Sequence, residues 1–406
     1  MQNGRYPLEG LKVIEMGTHV AIPNAARIMA EFGATVIKVE AANGDPWRFP
    51  GGEFSVPTQD DENPFFTMQN TNKELISLNI RNPGAVKVLK RMLRDADVFM
   101  TSIRLQSLEK YGLSYDQLHN EFPGLIYCHN TGYGYQGDES WRPGFDQASF
   151  WARSGSLCDW VEEGSSPLRP SVAFGDMATG AQLLSGVMMA LYGREKTGQG
   201  TLVSSSLLGC GIWYNSNGII SAQPCYGHHY PESRTDPMNP FTCFFQASDG
   251  EWFAVVAFVD GSGYAGLLRR MLPVFGISDW IEELDRGIFS HSNAEITARL
   301  RGEVAKRPSQ EWHRILREND VTFEPCAHLK DVSKDRQAWA NDYFQDVEFQ
   351  NGHRCVIPKS PIYMSEYEKK DIKATGSVGI DTDSVLTALG YSECEIAELR
   401  RQGTVK

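Results

Sequence analysis

A single carboxylate stands among small residues in the segment SVAFGDMATGAQLLSG, residues 171–186. Asp176 follows a glycine there, at the point where an apolar helix is expected to begin. An aspartate at a helix start usually caps the helix by accepting backbone N–H bonds. The positive end of a helix also favours the ionised carboxylate, which can act as a nucleophile in covalent catalysis. The two interpretations are compatible, and the residue types alone leave both open.

Other residues could serve the same site. Asp146 follows a Pro-Gly turn and precedes an aromatic-rich segment, so it is either another helix cap or a site carboxylate. Arg104 and Lys110 follow a predicted strand, where they are either surface cations or ligands for phosphate groups. His19 lies in the first predicted strand-to-helix turn, in a structural role or at a ligand. The spacing of these residues decides none of these alternatives.

The elements that must position these residues begin with residues 8–40. LKVIEM predicts a strand, apolar residues at helical spacing follow it, Gly33 ends that helix, and ATVIKVE predicts a second strand. This βαβ unit implies a parallel sheet. Strands and helices alternate to about residue 135, which is typical of a doubly wound fold with ligands beyond the carboxyl ends of its strands. The turn GTHVAIP lacks G-x-G-x-x-G, so a dinucleotide site is not supported.

The second half of the chain predicts a change of organisation. A long helix, apolar on most sides and therefore buried, is expected from about residue 177 to 193. Residues 223–240 are polar and rich in proline, which indicates a domain boundary. A hairpin is predicted at 241–258, with helical segments to about residue 333. We therefore expect a large α/β domain, residues 1–222 and 335–406, and a smaller α+β domain, residues 223–334.

Composition excludes several classes of protein. The formal net charge of −12 over 406 residues argues against a nucleic-acid partner, although a local basic pocket can still bind an anion. The sequence shows neither a signal peptide nor the run of about 20 apolar residues that a membrane span needs, so we expect a cytoplasmic protein. The eight cysteines are scattered, which predicts reduced thiols and no metal site. The residues alone indicate an α/β enzyme that binds an anionic ligand.

Several segments, taken in order, resemble the class III CoA-transferases, the family of formyl-CoA transferase and carnitine CoA-transferase. The resemblance rests on the opening unit 8–40 and on NTNKELISLNI, LEKYGLSYDQL, TGYGYQGD, RPGFD, FGDMATG, TGQGTLVSSSLL, DRQAWANDYF and DTDSVLTALGYSECEIAEL. The chain is most similar to the 2-hydroxyacid branch, the phenyllactate and 2-hydroxyisocaproate CoA-transferases of amino-acid-fermenting anaerobes. The resemblance implies a Rossmann-like sheet, a smaller domain and a homodimer of interlocked rings.

The resemblance also implies a mechanism. The family nucleophile is an aspartate in a G-D-x-x-x-G-like motif, and GDMATG places Asp176 there. Its carboxylate would attack an acyl-CoA thioester and become an aspartyl-CoA thioester, and the acceptor acid would reverse these steps. The substrates are then acyl-CoA and a carboxylic acid, and the exchange needs no tightly bound cofactor, ATP or metal. Such a site must exclude water and stabilise each oxyanion.

Positions that contact CoA in the family carry over less cleanly. The matching residues of this chain are His19, Val20, Ala21, Leu78, Asn79, Arg81, Ser102, Arg104, Lys110 and Asp146. Relatives often have glutamine at the position of Ala21 and an N-x-x-P-G segment where this chain reads residues 102–106. The glycine-rich lid of formyl-CoA transferase is not reproduced.

Three other functions compete with transfer to a 2-hydroxy acid. The related α-methylacyl-CoA racemases use a histidine in a G-H-D segment, but this chain has Phe145 there, which cannot move a proton. A non-catalytic acyl-CoA-binding protein would not need Asp176. Transfer to carnitine, oxalate, formate or a bile acid stays open. The aromatic residues near the motifs suit a bulky acyl group or form plain core: Phe145, Phe150, Trp151 and Trp160.

Overall fold

A computed structural model of the chain describes residues 5–406. Its strands are β1 (Lys12–Met16), β2 (Thr35–Glu40), β3 (Glu74–Ser77), β4 (Val98–Thr101), β5 (Ile126–Thr131), β6 (Leu202–Ser206), β7 (Thr242–Gln246), β8 (Trp252–Val256), β9 (Thr322–Pro325), β10 (Phe344–Glu348) and β11 (Arg354–Pro358). Its α-helices are α1 (Ala21–Glu31), α2 (Pro64–Asn70), α3 (Pro83–Leu93), α4 (Leu105–Lys110), α5 (Tyr115–Glu121), α6 (Ser156–Asp159), α7 (Phe174–Thr197), α8 (Leu207–Tyr214), α9 (Ser216–Ser221), α10 (Gly263–Met271), α11 (Asp279–Asp285), α12 (Asn293–Val304), α13 (Ser309–Glu318), α14 (Leu329–Val332), α15 (Arg336–Ala340), α16 (Thr382–Ala388) and α17 (Glu393–Arg401). Two 3₁₀ turns cover Pro46–Arg48 and Pro50–Phe54, and a π-helix covers Asp146–Ala152.

The chain packs into two compact units. The first contains the chain up to Ser156, Arg169–Ile220 and Asp335–Lys406, and the second contains Leu157–Leu168 and Ser221–Lys334. Trp160, one of the aromatic residues singled out in the sequence, belongs to the second unit. The predicted small domain at residues 223–334 stays a prediction.

The first unit is built on a six-stranded parallel sheet. The strand order is β3-β2-β1-β4-β5-β6, and every pairing within it is parallel. The predicted parallel α/β fold is therefore confirmed. The order reverses between β1 and β4, so the carboxyl ends of these two strands flank the crevice where doubly wound folds bind their ligands.

Alternate residues of the strands serve two hydrophobic cores, one on each face of the sheet. In β1, Val13 packs with Met29 of α1 and Leu183 of α7, whereas Ile14 packs with Leu89 of α3 on the other face. Successive side chains of a strand point to opposite faces, so a strand that is covered on both sides must be apolar throughout. That requirement explains the near-continuous apolar runs of the opening βαβ unit.

The predicted burial of the long helix α7 on most sides is wrong. Leu183 and Val187 are buried, but Met189 and Tyr192 on the helix are 68% and 67% exposed. Within the described chain, the sheet and α1 cover one side of this helix and leave apolar side chains exposed on the rest. The sequence shows that this helix is apolar on most sides, but it does not show which part of the protein covers each side. Neither α7 nor any other helix described is long and apolar enough to cross a bilayer.

The second unit contains an antiparallel sheet in the order β7-β8-β9. The predicted hairpin at 241–258 is present as β7 and β8, and Phe245 and Phe253 of these strands are buried in the core of the unit with Trp312. The short strand β9 lies in a region that the sequence predicted as helical. Its four residues are too few to give a period-2 signal, and its strand conformation depends on pairing with β8.

Candidate active site

A cavity of about 240 Å³ lies in the first unit, beyond the carboxyl ends of β1, β4 and β5. Its wall consists of Thr18, His19, Ala21, residues 102–106, His129, Asn130, Thr131, Gly132, Gly134, Tyr135, residues 140–145, Asp176 and Leu207. The cavity therefore lies where the doubly wound topology predicts a ligand.

Five residues predicted for the site line this cavity, namely His19, Ala21, Ser102, Arg104 and Asp176. They come from turns that are distant in the sequence and are brought together by the strand order of the sheet. Asp146, a sixth, lies beside Asp176 and accepts a hydrogen bond from its backbone.

The cavity wall does not include the other five predicted positions, Val20, Leu78, Asn79, Arg81 and Lys110. Val20 and Leu78 are buried, with exposures of 0% and 1%. Leu78 pairs with Val405 in a β-bridge, and Asn79 Nδ2 donates to the Gly403 carbonyl at 3.3 Å. The C-terminal segment thus contacts the end of β3, and a role in CoA binding for these five residues stays a prediction.

The helix cap at this site differs from the one predicted. Asp176 is the third residue of α7, and the N-cap residue is Ala173, whose φ of 58° lies in the left-handed region. The cap is supplied by Asp146 instead: its Oδ1 accepts the Asp176 N–H at 2.9 Å, and it also accepts a bond from the Gly175 backbone. The N-cap interpretation of Asp176 is wrong, and its side chain is free of that role.

Gly175 is required by this arrangement. A Cβ added to Gly175 would lie 2.3 Å from Asp146 Oδ1 and 2.4 Å from Phe150 Cγ. Real atoms do not approach this closely, so any larger residue would push the π-helix and its carboxylate away from α7. The glycine before the nucleophile candidate therefore permits the contact between Asp146 and the helix start.

Burial dominates the electrostatics of the two carboxyl groups. It raises the pKa of Asp176 to about 7, with a further upward contribution from the charge of Asp146. Burial also raises the pKa of Asp146 to about 6, although hydrogen bonds from the Asp176 and Gly175 backbones and from Trp151 lower it. Burial therefore opposes the helix end, which favours the ionised carboxylate of Asp176, because loss of solvent disfavours the charged form.

These pKa values predict how the rate depends on pH. Nucleophilic attack needs the ionised carboxylate, so we expect kcat/KM for acyl-CoA to rise with pH through about 7. The Asp146→Asn variant removes the neighbouring negative charge but keeps an oxygen that can accept the Asp176 N–H bond. The midpoint of the pH–rate profile of this variant should move to lower pH. The shift should cover only part of the distance to the ordinary pKa of an aspartate, because Asp176 stays buried. A pH–rate profile of both proteins measures this shift, and an unchanged midpoint would contradict the coupling.

The turn between β1 and α1 is held on three sides. The Gly17 carbonyl accepts a bond from Lys38 Nζ at 3.1 Å, and the Thr18 N–H donates to Ser102 Oγ at 3.1 Å. The His19 N–H donates to Asp45 Oδ1 at 3.0 Å. His19 has a φ of 62°, a left-handed conformation that a non-glycine residue adopts only when its surroundings hold it. The turn therefore presents Thr18 and His19 to the cavity in one fixed conformation.

Beneath this turn lies a buried network of charges, which we call the ion network: Glu15, Lys38, Asp45 and Lys73. Lys38 Nζ lies 2.8 Å from both Glu15 and Asp45, and Lys73 Nζ lies 2.6 Å from Glu15. Two carboxylates face two lysines, which makes the burial of these groups tolerable, and burial lowers the pKa of Lys73 to about 7. The sequence signal of this network is that Glu15 and Lys38 interrupt otherwise apolar strands.

Further residues of the wall were also missed by the sequence. His129, Tyr135, Trp141 and Arg142 line the cavity, but none of them was among the predicted site residues. In the described part of the chain, the guanidinium of Arg104 forms no salt bridge. No group of three His, Cys, Asp or Glu residues there is arranged to hold a metal ion.

Comparison with known proteins decides the family. A family model described as CoA-transferase family III matches residues 8–382. The chain belongs to CoA-transferase family III. It is therefore an enzyme of the CoA-transferase class, and the resemblance seen in its motifs is confirmed.

The relatives of this CoA-transferase match over nearly their whole length. It is 34% identical over 403 residues to the (R)-2-hydroxy-4-methylpentanoate CoA-transferase of Clostridioides difficile, covering 98% of this chain and 99% of that one. It is 31% identical over 412 residues to the cinnamoyl-CoA:phenyllactate CoA-transferase of Clostridium sporogenes, covering 99% and 98%. Among solved structures, a CAIB/BAIF family protein from Brucella suis matches with a TM-score of 0.79 and 25% identity, over 95% of this chain and all (100%) of that one.

Proposed function

We propose that this CoA-transferase moves CoA from an acyl-CoA to a 2-hydroxy acid with an aryl or branched side chain, through an aspartyl-CoA thioester on Asp176. The observation that carries the proposal is the position of Asp176: it faces a cavity at the point where the strand order reverses. The named activities of two relatives, each of which acts on a 2-hydroxy acid, support the substrate class.

The chemistry needs only the Asp176 carboxylate and the two substrates. The carboxylate attacks the thioester carbonyl, the C–S bond breaks, and a mixed anhydride and CoA thiolate form. The thiolate then attacks the aspartyl carbonyl and releases the donor acid, which leaves Asp176 as its CoA thioester. The acceptor acid takes the place of the donor acid, and the same two steps in reverse give the new acyl-CoA and free Asp176.

The start of α7 does not supply the oxyanion donors in this arrangement. Its free N–H groups are already used, because the Phe174 N–H reaches the Ser171 carbonyl at 3.4 Å and Asp146 accepts those of Gly175 and Asp176. Asp146 instead fixes the backbone that carries the nucleophile. We infer that Asp146 positions Asp176 and raises the pKa of the Asp176 carboxyl group. In this proposal Asp146 does not contact CoA through a charged group.

Acyl-CoA contacts are assigned to the predicted residues that line the cavity. Arg104 is a cation without a carboxylate partner in the described chain and suits a phosphate of CoA. Ser102, His19 and Ala21 form the adjoining wall. The predicted contacts at Val20, Leu78, Asn79, Arg81 and Lys110 are kept as part of the proposal, together with a cytoplasmic enzyme that uses no tightly bound cofactor.

Aromatic side chains in the wall favour a bulky acid. Phe145 and Trp141 line the cavity and are 59% and 61% exposed, so their rings are available to a ligand. The Phe145 ring lies edge-on to His19, with centroids 5.4 Å apart. Phe150 and Trp151 are buried behind them and serve the core. This lining fits an aryl or branched side chain better than a small dicarboxylate.

A transfer assay tests the proposed function. The purified protein is incubated with cinnamoyl-CoA or another aryl or branched acyl-CoA and with phenyllactate or 2-hydroxy-4-methylpentanoate, and the CoA esters are separated by chromatography. We expect the 2-hydroxyacyl-CoA to appear in equal amount to the acyl-CoA consumed, without added ATP. Transfer to oxalate or carnitine and not to any 2-hydroxy acid would refute the substrate class.

We also propose that the enzyme is a homodimer. Large apolar side chains of α7 and α8 are exposed in the single chain, among them Met189, Tyr192 and Trp213, at 68%, 67% and 68%. Apolar surface of this kind is typical of protein–protein contact sites. Light scattering after gel filtration should give twice the mass of 45.4 kDa. A monomer at micromolar concentration would contradict the proposal.

A further inference from the structure

A polar pair in the cavity wall is not used by the mechanism described above. His129 and Tyr135 both line the cavity, and His129 Nδ1 makes a short hydrogen bond with the Tyr135 hydroxyl. The other ring nitrogen of His129, Nε2, lies 2.8 Å from the Ile103 carbonyl. The Thr131 hydroxyl accepts the Gly134 N–H at 2.9 Å and so fixes the turn that carries Tyr135.

The hydrogen bonds of His129 determine which way the pair is polarised. A carbonyl can only accept, so His129 Nε2 must carry the proton and donate it to Ile103. Burial lowers the pKa of His129, which keeps the ring neutral. In a neutral ring that is protonated at Nε2, Nδ1 has a lone pair and no hydrogen. The Tyr135 hydroxyl must therefore donate its hydrogen to His129.

The Tyr135 oxygen consequently has only lone pairs left for the cavity. It can accept a hydrogen bond from a ligand but cannot donate one.

We propose that the Tyr135 oxygen forms a hydroxyl-accepting subsite of the cavity, with His129 as the positioning residue that makes Tyr135 an acceptor. The ligand group that fits this acceptor is a hydroxyl, not a carboxylate or carbonyl oxygen, because neither of those oxygens carries a hydrogen to donate. The 2-hydroxyl of the acid is the source that the proposed function supplies, and the inference rests on that function. A hydroxyl of CoA has the same chemistry, so the experiment separates the two sources.

The Tyr135→Phe variant tests the subsite through substrate preference. For wild type and variant, kcat/KM is measured with 2-hydroxy acids and with the same acids lacking the hydroxyl, such as phenyllactate and 3-phenylpropanoate. We expect the preference for the hydroxy acid to fall roughly tenfold in the variant. The deoxy acid should be used as well as before or better, because it no longer leaves the Tyr135 oxygen unpaired. General damage to the site would lower both values equally and would overturn the assignment to the acid.

The matched control is Tyr133→Phe, from the same loop. The Tyr133 ring stacks with Arg142 and Arg153, whose guanidinium carbons lie 4.9 and 5.3 Å from its centroid, and Tyr133 is not part of the cavity wall. Its preference between the two acids should stay at the wild-type value. A change in this control as large as that in Tyr135→Phe would overturn the proposal.

The second arm of the experiment is binding of CoA. Calorimetric titration of CoA into wild type and Tyr135→Phe should give equal Kd values if the hydroxyl belongs to the acid. A Kd raised about tenfold with an unchanged acid preference would assign the same subsite to a hydroxyl of CoA. Unchanged values in both arms would overturn the subsite. If the wild type transfers CoA to no acid, the proposed function fails, while the binding arm still tests the subsite.

The role of His129 has its own signature. Long-range ¹H–¹⁵N NMR spectra distinguish the two neutral forms of a histidine ring. We expect the His129 signals to show protonation at Nε2 alone. Protonation at Nδ1 would make Tyr135 a donor towards the cavity and would overturn the polarity on which the subsite depends.

Discussion

Replacement of Asp176 by alanine or asparagine is expected to abolish CoA transfer while leaving CoA binding intact. Asp176 is the carboxylate in the cavity wall that the proposed mechanism converts into a CoA thioester, and an alanine or asparagine side chain cannot form that intermediate. Loss of a covalent nucleophile lowers kcat by roughly 10³-fold or more. Steady-state rates with an acyl-CoA and a 2-hydroxy acid measure the loss, and calorimetry measures the Kd of CoA.

The control for this loss is an aspartate in an equivalent helical position. Asp116 lies in the first turn of α5 and is exposed, as Asp176 lies in the first turn of α7. Asp116→Asn should keep the wild-type rate. Because Asp146 accepts the backbone N–H of Asp176, substitution of the Asp176 side chain leaves that cap in place. A melting temperature close to that of wild type would then show that the lost activity is chemical.

Trapping the intermediate separates covalent from electrostatic roles for Asp176. The enzyme is incubated with acyl-CoA alone, treated with hydroxylamine or borohydride, digested, and examined by mass spectrometry. We expect modification of the peptide that contains Asp176 and of no other peptide. An adduct on another residue, or near-normal turnover by Asp176→Ala, would refute the proposed carrier.

Much of the sheet and part of the site could be predicted because both depend on local pattern. The apolar strands and the helix between them gave the parallel sheet, and the sheet placed the ligand at its carboxyl edge. The resemblance of GDMATG to the motif of the CoA-transferase family implied Asp176 as the nucleophile. The turns after β1 and β4, which hold His19 and Arg104, were predicted at the ligand because they follow the carboxyl ends of these strands.

What could not be predicted depends on contacts between residues far apart in the chain. The carboxylate that caps α7 belongs to Asp146, which lies 30 positions before Asp176 in the sequence. Local spacing at the start of the helix favours Asp176 as the N-cap instead. The Asn79 side chain donates a hydrogen bond to the carbonyl of Gly403, which lies 324 positions later in the sequence. No local pattern shows which end of a chain covers which strand, so this contact could not be predicted.

The ion network was missed for a related reason. A glutamate and a lysine in neighbouring strands look like interruptions until the register is known. The pairing of β1 with β2 places Glu15 opposite Lys38. Asp45 completes the pair from a turn after β2, and Lys73 approaches from the residue before β3. The network therefore belongs to the sheet as a whole.

Removal of Asp45 is expected to have the largest effect on stability. Burial raises the pKa of Asp45, but Lys38 and the N–H groups of Trp47 and His19 together hold it below its ordinary value, so the residue is an ion in the interior. In Asp45→Ala, Lys38 keeps only Glu15 as a charged partner at 2.8 Å, and Glu15 also serves Lys73. Removal of one partner from a buried ion pair lowers the free energy of unfolding by about 3–5 kcal/mol. Denaturant unfolding measures that loss.

The same substitution should reach the cavity, because Asp45 Oδ1 accepts the His19 N–H that fixes the turn. Asp45→Asn separates the two effects: its amide oxygen can still accept that bond, but the charge opposite Lys38 is gone. We therefore expect Asp45→Asn to lose stability while keeping the KM for acyl-CoA closer to wild type than Asp45→Ala does. Asp60→Asn is the control, since Asp60 is 70% exposed and lies 4.0 Å from Arg48, and it should cost less than about 1 kcal/mol. Equal losses for Asp45→Ala and Asp60→Asn would show that the buried charges do not hold the turn.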